Sequence, residues 1–149
     1  MMGAAARRAA PDRWLDRATD RFAAEGLRIG AARARALEVI ARDATCLVTV
    51  QDLVRALRQD GGAGSQASVY RAVEHAHRLG LLRRELGADG AVRYEIVLPD
   101  EHHHHLVDDD SGEIVPFIDD DLEQALDQAA RRLGVRMTSH EVRIRGVRP

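Results

Sequence analysis

Four consecutive histidines, His102 to His105, stand in the middle of the chain, and Glu123 and His140 follow further on. Imidazole nitrogen and carboxylate oxygen are ligands for borderline divalent cations, so metal binding is the chemistry these residue types point to. Alternate side chains of an extended strand point to opposite faces, which puts His102 and His104 on one face and His103 and His105 on the other. One short strand can therefore serve two separate metal sites. An affinity tag is the bland alternative, but tags are terminal and this run is internal. A solvated run without function is the other, and the companions Glu123 and His140 weigh against it. Cys46 is the single cysteine, so neither an intrachain disulfide nor a cysteine-cage zinc site can be built, and a metal site must rest on nitrogen and oxygen.

These residues have to be positioned by ordinary globular structure. The chain has 149 residues, enough for one domain or two small ones, and its 45% hydrophobic content is normal for a globular protein. No apolar run approaches the length of a membrane span and the Arg- and Ala-rich start lacks a signal-peptide core, so the cytoplasm is the expected location, with no membrane partner. The formal net charge of -2 conceals an asymmetry. Residues 1–98 carry 16 arginines against 12 acids, and residues 99–149 carry 6 against 12. A basic half is consistent with phosphate contact and an acidic, histidine-rich half with divalent cations. Every basic residue other than histidine is arginine, which base composition explains as readily as function does.

Residues 1–11 are expected to be loose, with Arg7 and Arg8 available to a nucleic-acid backbone. Trp14, Leu15, Ala18 and Phe22 recur at helical spacing from Asp12 to about Glu25, with Gly26 as a stop. A second helix is expected over 31–43 and a third after the N-cap Thr49, with Val50, Leu53, Val54 and Leu57 inward. Gly61, Gly62 and Gly64 make a turn. Ser65 caps a fourth helix through Leu79, the candidate recognition helix, closed by Gly80. Strand-like segments 81–86 and 91–97 flank Gly87-Ala88-Asp89-Gly90, a hairpin composition. Short helices ending in a hairpin predict a winged helix-turn-helix over residues 1–98, with a hinge at Pro99-Asp100-Glu101.

Residues 99–149 read as strand 103–107, turn 108–112, strand 113–117, helix 119–133 and a long final strand 135–147. Leu122, Leu126, Ala129, Ala130 and Leu133 share one side of that helix, and Asp119 to Asp121 stand where its dipole favours them. The fold class is therefore α+β. A module this small has little core of its own, and dimerisation would supply more.

Taken in order, several strings are recognisable. They are Ala67-Ser68-Val69-Tyr70-Arg71, Leu79-Gly80-Leu81-Leu82-Arg83-Arg84, Arg93-Tyr94-Glu95, Glu101 with the histidine run, and Gly134-Val135-Arg136-Met137-Thr138-Ser139-His140. Together they resemble the ferric uptake regulator (Fur) family of metal-dependent transcriptional repressors, over roughly residues 27–147. The resemblance implies a winged-helix DNA-binding domain, a small α/β dimerisation domain, and metal sites near the hinge that set the angle between them. It implies a homodimeric repressor of metal-homeostasis genes on double-stranded DNA carrying an AT-rich palindromic operator. Its cofactor would be a divalent transition metal, Fe²⁺ foremost, with Mn²⁺ or Zn²⁺ as alternatives.

Carried over by the same resemblance, His102, His104, Glu123 and His140 match all four ligands of one family site. Glu95, His103 and His105 match a second, hinge-bridging site, but its remaining histidine falls on Leu47, which cannot ligate. Cys46 is adjacent and is the candidate substitute, although a lone cysteine is commonly just a small buried hydrophobe. The family's frequent structural zinc is not expected, since its first cysteine pair falls on Asp108 and Ser111. On the DNA side the match places Ser68, Tyr70 and Arg71 in the recognition helix and Arg28 at a minor-groove position, while Gln66 and Ser68 are near the helix start, where base edges are read. A peroxide- or haem-responsive regulator of the same family is the alternative, though peroxide sensing would call for another carboxylate and the slot after Val115 holds Pro116. A His₃Glu metalloenzyme is the competitor from another class. It would need an open coordination position and a nearby base, and no such base is apparent.

Overall fold

The computed structural model describes residues 4–61 and 64–149, residues 4–9 by their backbone alone. The chain divides into two compact units, the first ending at Glu101 and the second spanning His102–Pro149.

The first unit contains α1 (Ala4–Ala24), α2 (Ala31–Asp43), α3 (Val50–Gln59), α4 (Gln66–Arg78), β1 (Leu82–Leu86) and β2 (Val92–Ile96). Its boundaries follow local chemistry. The Thr49 hydroxyl accepts from the Asp52 amide while the Asp52 carboxylate accepts from the Thr49 amide, a reciprocal cap that starts α3. Ser65 caps α4 by accepting from the Ser68 amide, and α4 ends where Gly80 adopts φ 73, a left-handed conformation that costs a residue with a Cβ but not glycine. The strands pair antiparallel, Leu82 opposite Ile96 and Arg84 opposite Tyr94. An isolated bridge between Val48 and Tyr94 holds this hairpin to the helical body.

Trp14, Ala18, Phe22, Leu37, Ile40, Leu53, Val69 and Leu81 form the fully buried centre. Each large apolar side chain buried there contributes about 1.5–3 kcal/mol relative to exposure. Trp14 also donates its indole N–H to the Leu81 carbonyl at 2.7 Å, so the one polar atom of the ring is satisfied. Expectation is corrected at the start of the chain. α1 begins at Ala4, not near Asp12, because the alanine-rich stretch is a strong helix former even though Pro11 within it cannot donate to the ladder. The expected roles of Arg7 and Arg8, and of Gly62 in the loop before α4, lie outside the described residues. α1 also grips the end of this unit, Arg13 donating to both Asp100 and Glu101 and Arg17 to the Val97 carbonyl.

The second unit contains β3 (His104–Asp108), β4 (Ile114–Phe117), α5 (Asp120–Arg132) and β5 (Arg143–Gly146). Its sheet has the order β4-β3-β5, with β4 antiparallel and β5 parallel to the central β3. Pro116 is tolerated because β4 is an edge strand with no further ladder to donate to. The Asp108 carboxylate accepts from the amides of Asp110 and Ser111 and shapes the turn before β4. The Asp119 side chain caps α5 by accepting from the Leu122 amide at 2.9 Å. The expected long strand over 135–147 is corrected to the four residues Arg143–Gly146. The alternation of Val142 and Ile144 with Arg143 and Arg145 marks only that end, and Gly134 to Glu141 offer no such pattern. The apolar side of α5 is also less covered than expected. Ala130 is buried, but Leu133 is 77% exposed.

Candidate functional site

Three stretches of the second unit bring four donors together. His102 and His104 come from the start of β3 and the residues before it, Glu123 from the first turn of α5, and His140 from the segment before β5. One ligand atom from each lies within 4.8 Å of all the others. The Glu123 carboxylate is the hub. Its Oε1 is 3.1 Å from His102 Nε2 and 2.5 Å from His104 Nε2, and its Oε2 is 2.8 Å from His140 Nε2. Strand alternation puts the rings of His102 and His104 on this side, 4.7 Å apart, and those of His103 and His105 together on the other, 4.9 Å apart.

The electrostatics favour a charged carboxylate here. Burial works to raise the Glu123 carboxyl, but the His102 and His104 imidazoles hydrogen-bond to its charged form and, with His140, hold it at about 2. The α5 N-terminus, whose free amides carry partial positive charge, acts in the same direction.

A cation fits this donor set better than the bare hydrogen bonds do. His140 Nε2 is buried and makes no hydrogen bond although Glu123 Oε2 is 2.8 Å away, so the contact lacks the alignment that a proton between them requires. An unsatisfied imidazole nitrogen converging with other ligand atoms on a charged carboxylate is what a shared ion satisfies. His104 is fully buried and its Nδ1 accepts from the Val142 amide at 3.2 Å, which leaves the ring proton on Nε2, facing Glu123. Coordination through Nε2 would move that proton to Nδ1 and part it from the Val142 amide. Three imidazoles and a carboxylate suit a divalent transition metal.

The second expected set divides between the units. Cys46 and Glu95 belong to the first, where a Glu95 carboxylate oxygen and Cys46 Sγ are within 4.8 Å of each other. Glu95 also lies 3.6 Å from the Arg83 guanidinium. His103 and His105 belong to the second unit. Leu47 is buried, as its side chain requires.

On the first unit, α4 presents Gln66 and Arg71 to solvent, and Tyr70 is 40% exposed, so its ring does not fill the core. Arg28 is exposed in the loop before α2. Arg28, Ser68 and Arg71 line one groove of about 470 Å³. Ser68 lines that groove while being largely buried, its Oγ 3.1 Å from Ser65 Oγ at the helix cap. One partner is invisible to sequence periodicity. Gln51 Nε2, 19 positions earlier, donates to the Tyr70 hydroxyl at 3.2 Å, and only the packing of α3 beside α4 brings the two together.

The model of the ferric uptake regulator family matches residues 24–145. The chain belongs to the ferric uptake regulator family. The ferric uptake regulation protein of Shigella flexneri is 31% identical over 121 residues, covering 81% of each chain. Among solved structures, the Vibrio cholerae ferric uptake regulator superposes with a TM-score of 0.69 at 28% identity, over 85% of this chain and 95% of its own. A zinc-bound manganese uptake regulator gives 0.68 at 29% identity, over 94% and 99%. Fur-family proteins are metal-responsive transcriptional regulators, and the four-donor cluster and the exposed face of α4 occupy the two halves that such a function needs. α1 lies almost wholly before the matched residues.

Proposed function

We propose that this chain is a homodimeric, metal-dependent repressor of metal-homeostasis genes, acting in the cytoplasm on AT-rich palindromic DNA. The convergence of His102, His104, Glu123 and His140 within 4.8 Å carries this reading. These four would hold a divalent transition metal, with Fe²⁺ first and Mn²⁺ or Zn²⁺ next. The ferric uptake proteins among its relatives and the zinc-bound manganese uptake regulator among its structural neighbours support that range. When bound, the ion supplies a cross-link among β3, α5 and the segment before β5.

Glu95, His103 and His105, with Cys46 substituting for the histidine position occupied by the adjacent Leu47, form the second site in this reading. Supporting it, the members contributed by each unit are neighbours within that unit. Arg28, Gln66, Ser68, Tyr70 and Arg71 face the DNA in this reading. Dimerisation is supported by apolar surface that one copy of the second unit leaves uncovered, with Leu133 77%, Val135 57%, Ile144 47% and Val147 61% exposed. Metal regulates only if it binds the DNA-competent arrangement more tightly than the other, and about 5.5 kcal/mol of such preference converts a 1:99 population into 99:1.

A gel-shift titration on a palindromic promoter fragment, with and without Fe²⁺, Mn²⁺ or Zn²⁺, is the test. Tighter binding with metal is expected, and equal affinity throughout would exclude metal gating. A Leu133→Glu, Ile144→Glu double variant should run as a monomer in analytical ultracentrifugation.

A further inference from the structure

Arginine pairing within the first unit is uneven. Arg13, Arg21, Arg35, Arg42, Arg55, Arg78 and Arg93 sit in ion pairs, and Arg17, Arg33 and Arg58 donate to neutral oxygens. Among the described residues of this unit, Arg28, Arg71 and Arg84 have neither kind of partner. A guanidinium carries five N–H donors and a permanent charge, so one left in solvent amid so many acids is available to an external anion.

The three are arranged in a row. Arg28 and Arg71 line the 470 Å³ groove on one side of α4. Arg71 and Arg84 line a larger groove of about 760 Å³ on the other side, between α4 and the hairpin of β1 and β2. The far wall of that second groove is held in place. Arg84 pairs across the strands with Tyr94, whose backbone is bridged to Val48 and whose ring meets the His77 ring edge-on at 5.9 Å. Arg84 is thus carried on a strand braced against the helical body. The Tyr70 hydroxyl with its Gln51 donor lies on the floor, and Glu74, the acid in the lining, is ion-paired to Arg78 at 3.1 Å.

We propose that the groove between α4 and the hairpin receives the sugar–phosphate backbone of duplex DNA, and that Arg84 is a phosphate anchor there, extending the row begun by Arg28 and Arg71. This rests on the DNA-binding reading above and adds to it a contact outside the recognition helix. A phosphate contact carries no sequence information and sets register, so Arg84 governs affinity and leaves base preference alone.

The test uses the full-length, metal-loaded protein and two duplexes, one selected by the wild type from a random pool and one of random sequence, with fluorescence anisotropy read across a salt series. Arg84→Gln should weaken binding to both duplexes by about three- to tenfold and lower the slope of log affinity against log salt by about one. Arg84→Lys should restore the slope. Arg21→Gln, which removes an arginine ion-paired on α1, should leave affinity and slope unchanged. If the wild type binds and Arg84→Gln retains its affinity and slope, the anchor is refuted while the regulator reading stands. If the wild type binds neither duplex, both fall together.

Discussion

The two units are held by different physics. In the first, aromatic and aliphatic side chains from α1 to β1 close around Trp14, Phe22 and Leu53, all fully buried, and Ser68 and Glu95 are the polar exceptions among many buried apolar residues. In the second, Ala130 is the buried hydrophobic residue among those described, while His104, His105 and Asp108 are buried polar ones. A unit with an apolar core keeps its shape unaided. On the function proposed above, one that buries imidazoles and leaves leucine and isoleucine outside would gain order from what binds it, a cation within and a second copy outside, which makes the first unit the rigid half and the second the soft one.

The largest expected effect tests the rigid half. Trp14→Ala removes a fully buried indole and leaves the Leu81 carbonyl without its donor, so denaturant unfolding of the first unit should lose about 3–5 kcal/mol. Metal affinity of the second unit, measured by chelator competition, should change little. Next comes the soft half. His140→Ala should reduce metal affinity by about a hundredfold or more. Wild-type protein at a hundred times its dissociation constant of metal should gain about 2.7 kcal/mol in the second unit's stability, and the variant should not.

Acid sharpens the contrast further. Glu123 is depressed from 4.5 to about 2 in the folded chain, so its stabilising contribution is complete above about 4.5 and disappears as pH falls toward 2. Metal-free protein should therefore lose second-unit stability over that window in acid titrations followed by NMR. Metal affinity should decline at milder acidity, because protons compete for the imidazoles. The smallest effect is local. Loading should shift the Val142 amide resonance and speed its hydrogen exchange, since a coordinated His104 no longer accepts from it. An unchanged Val142 signal on saturation would mean that His104 does not bind through Nε2.

Much of this was legible along the chain because it is set by near neighbours. α2 spans Ala31–Asp43, and the Thr49 and Ser65 caps begin α3 and α4, as hydroxyl chemistry and apolar period lead one to expect. The alternation of His102 to His105 follows from extended geometry, which the chain keeps just before β3 begins at His104. The same local reasoning failed where no neighbour decides. Ala4 to Pro11 looked loose until their helix was seen to continue into α1, and Gly134 to Glu141 looked like strand although the β5 ladder begins only at Arg143.

What the amino-acid order determined by itself was which side chains can cap, alternate or coordinate, and through family likeness which distant ones belong to one site. Tertiary structure alone decided their use. It turned Ser68 inward, set Gln51 against Tyr70, and left Arg84 facing a groove without a partner. It also left His140 Nε2 beside a carboxylate it cannot hydrogen-bond. Propensity and spacing act over a few residues, whereas pairing, burial and the satisfaction of polar atoms depend on groups tens of positions away.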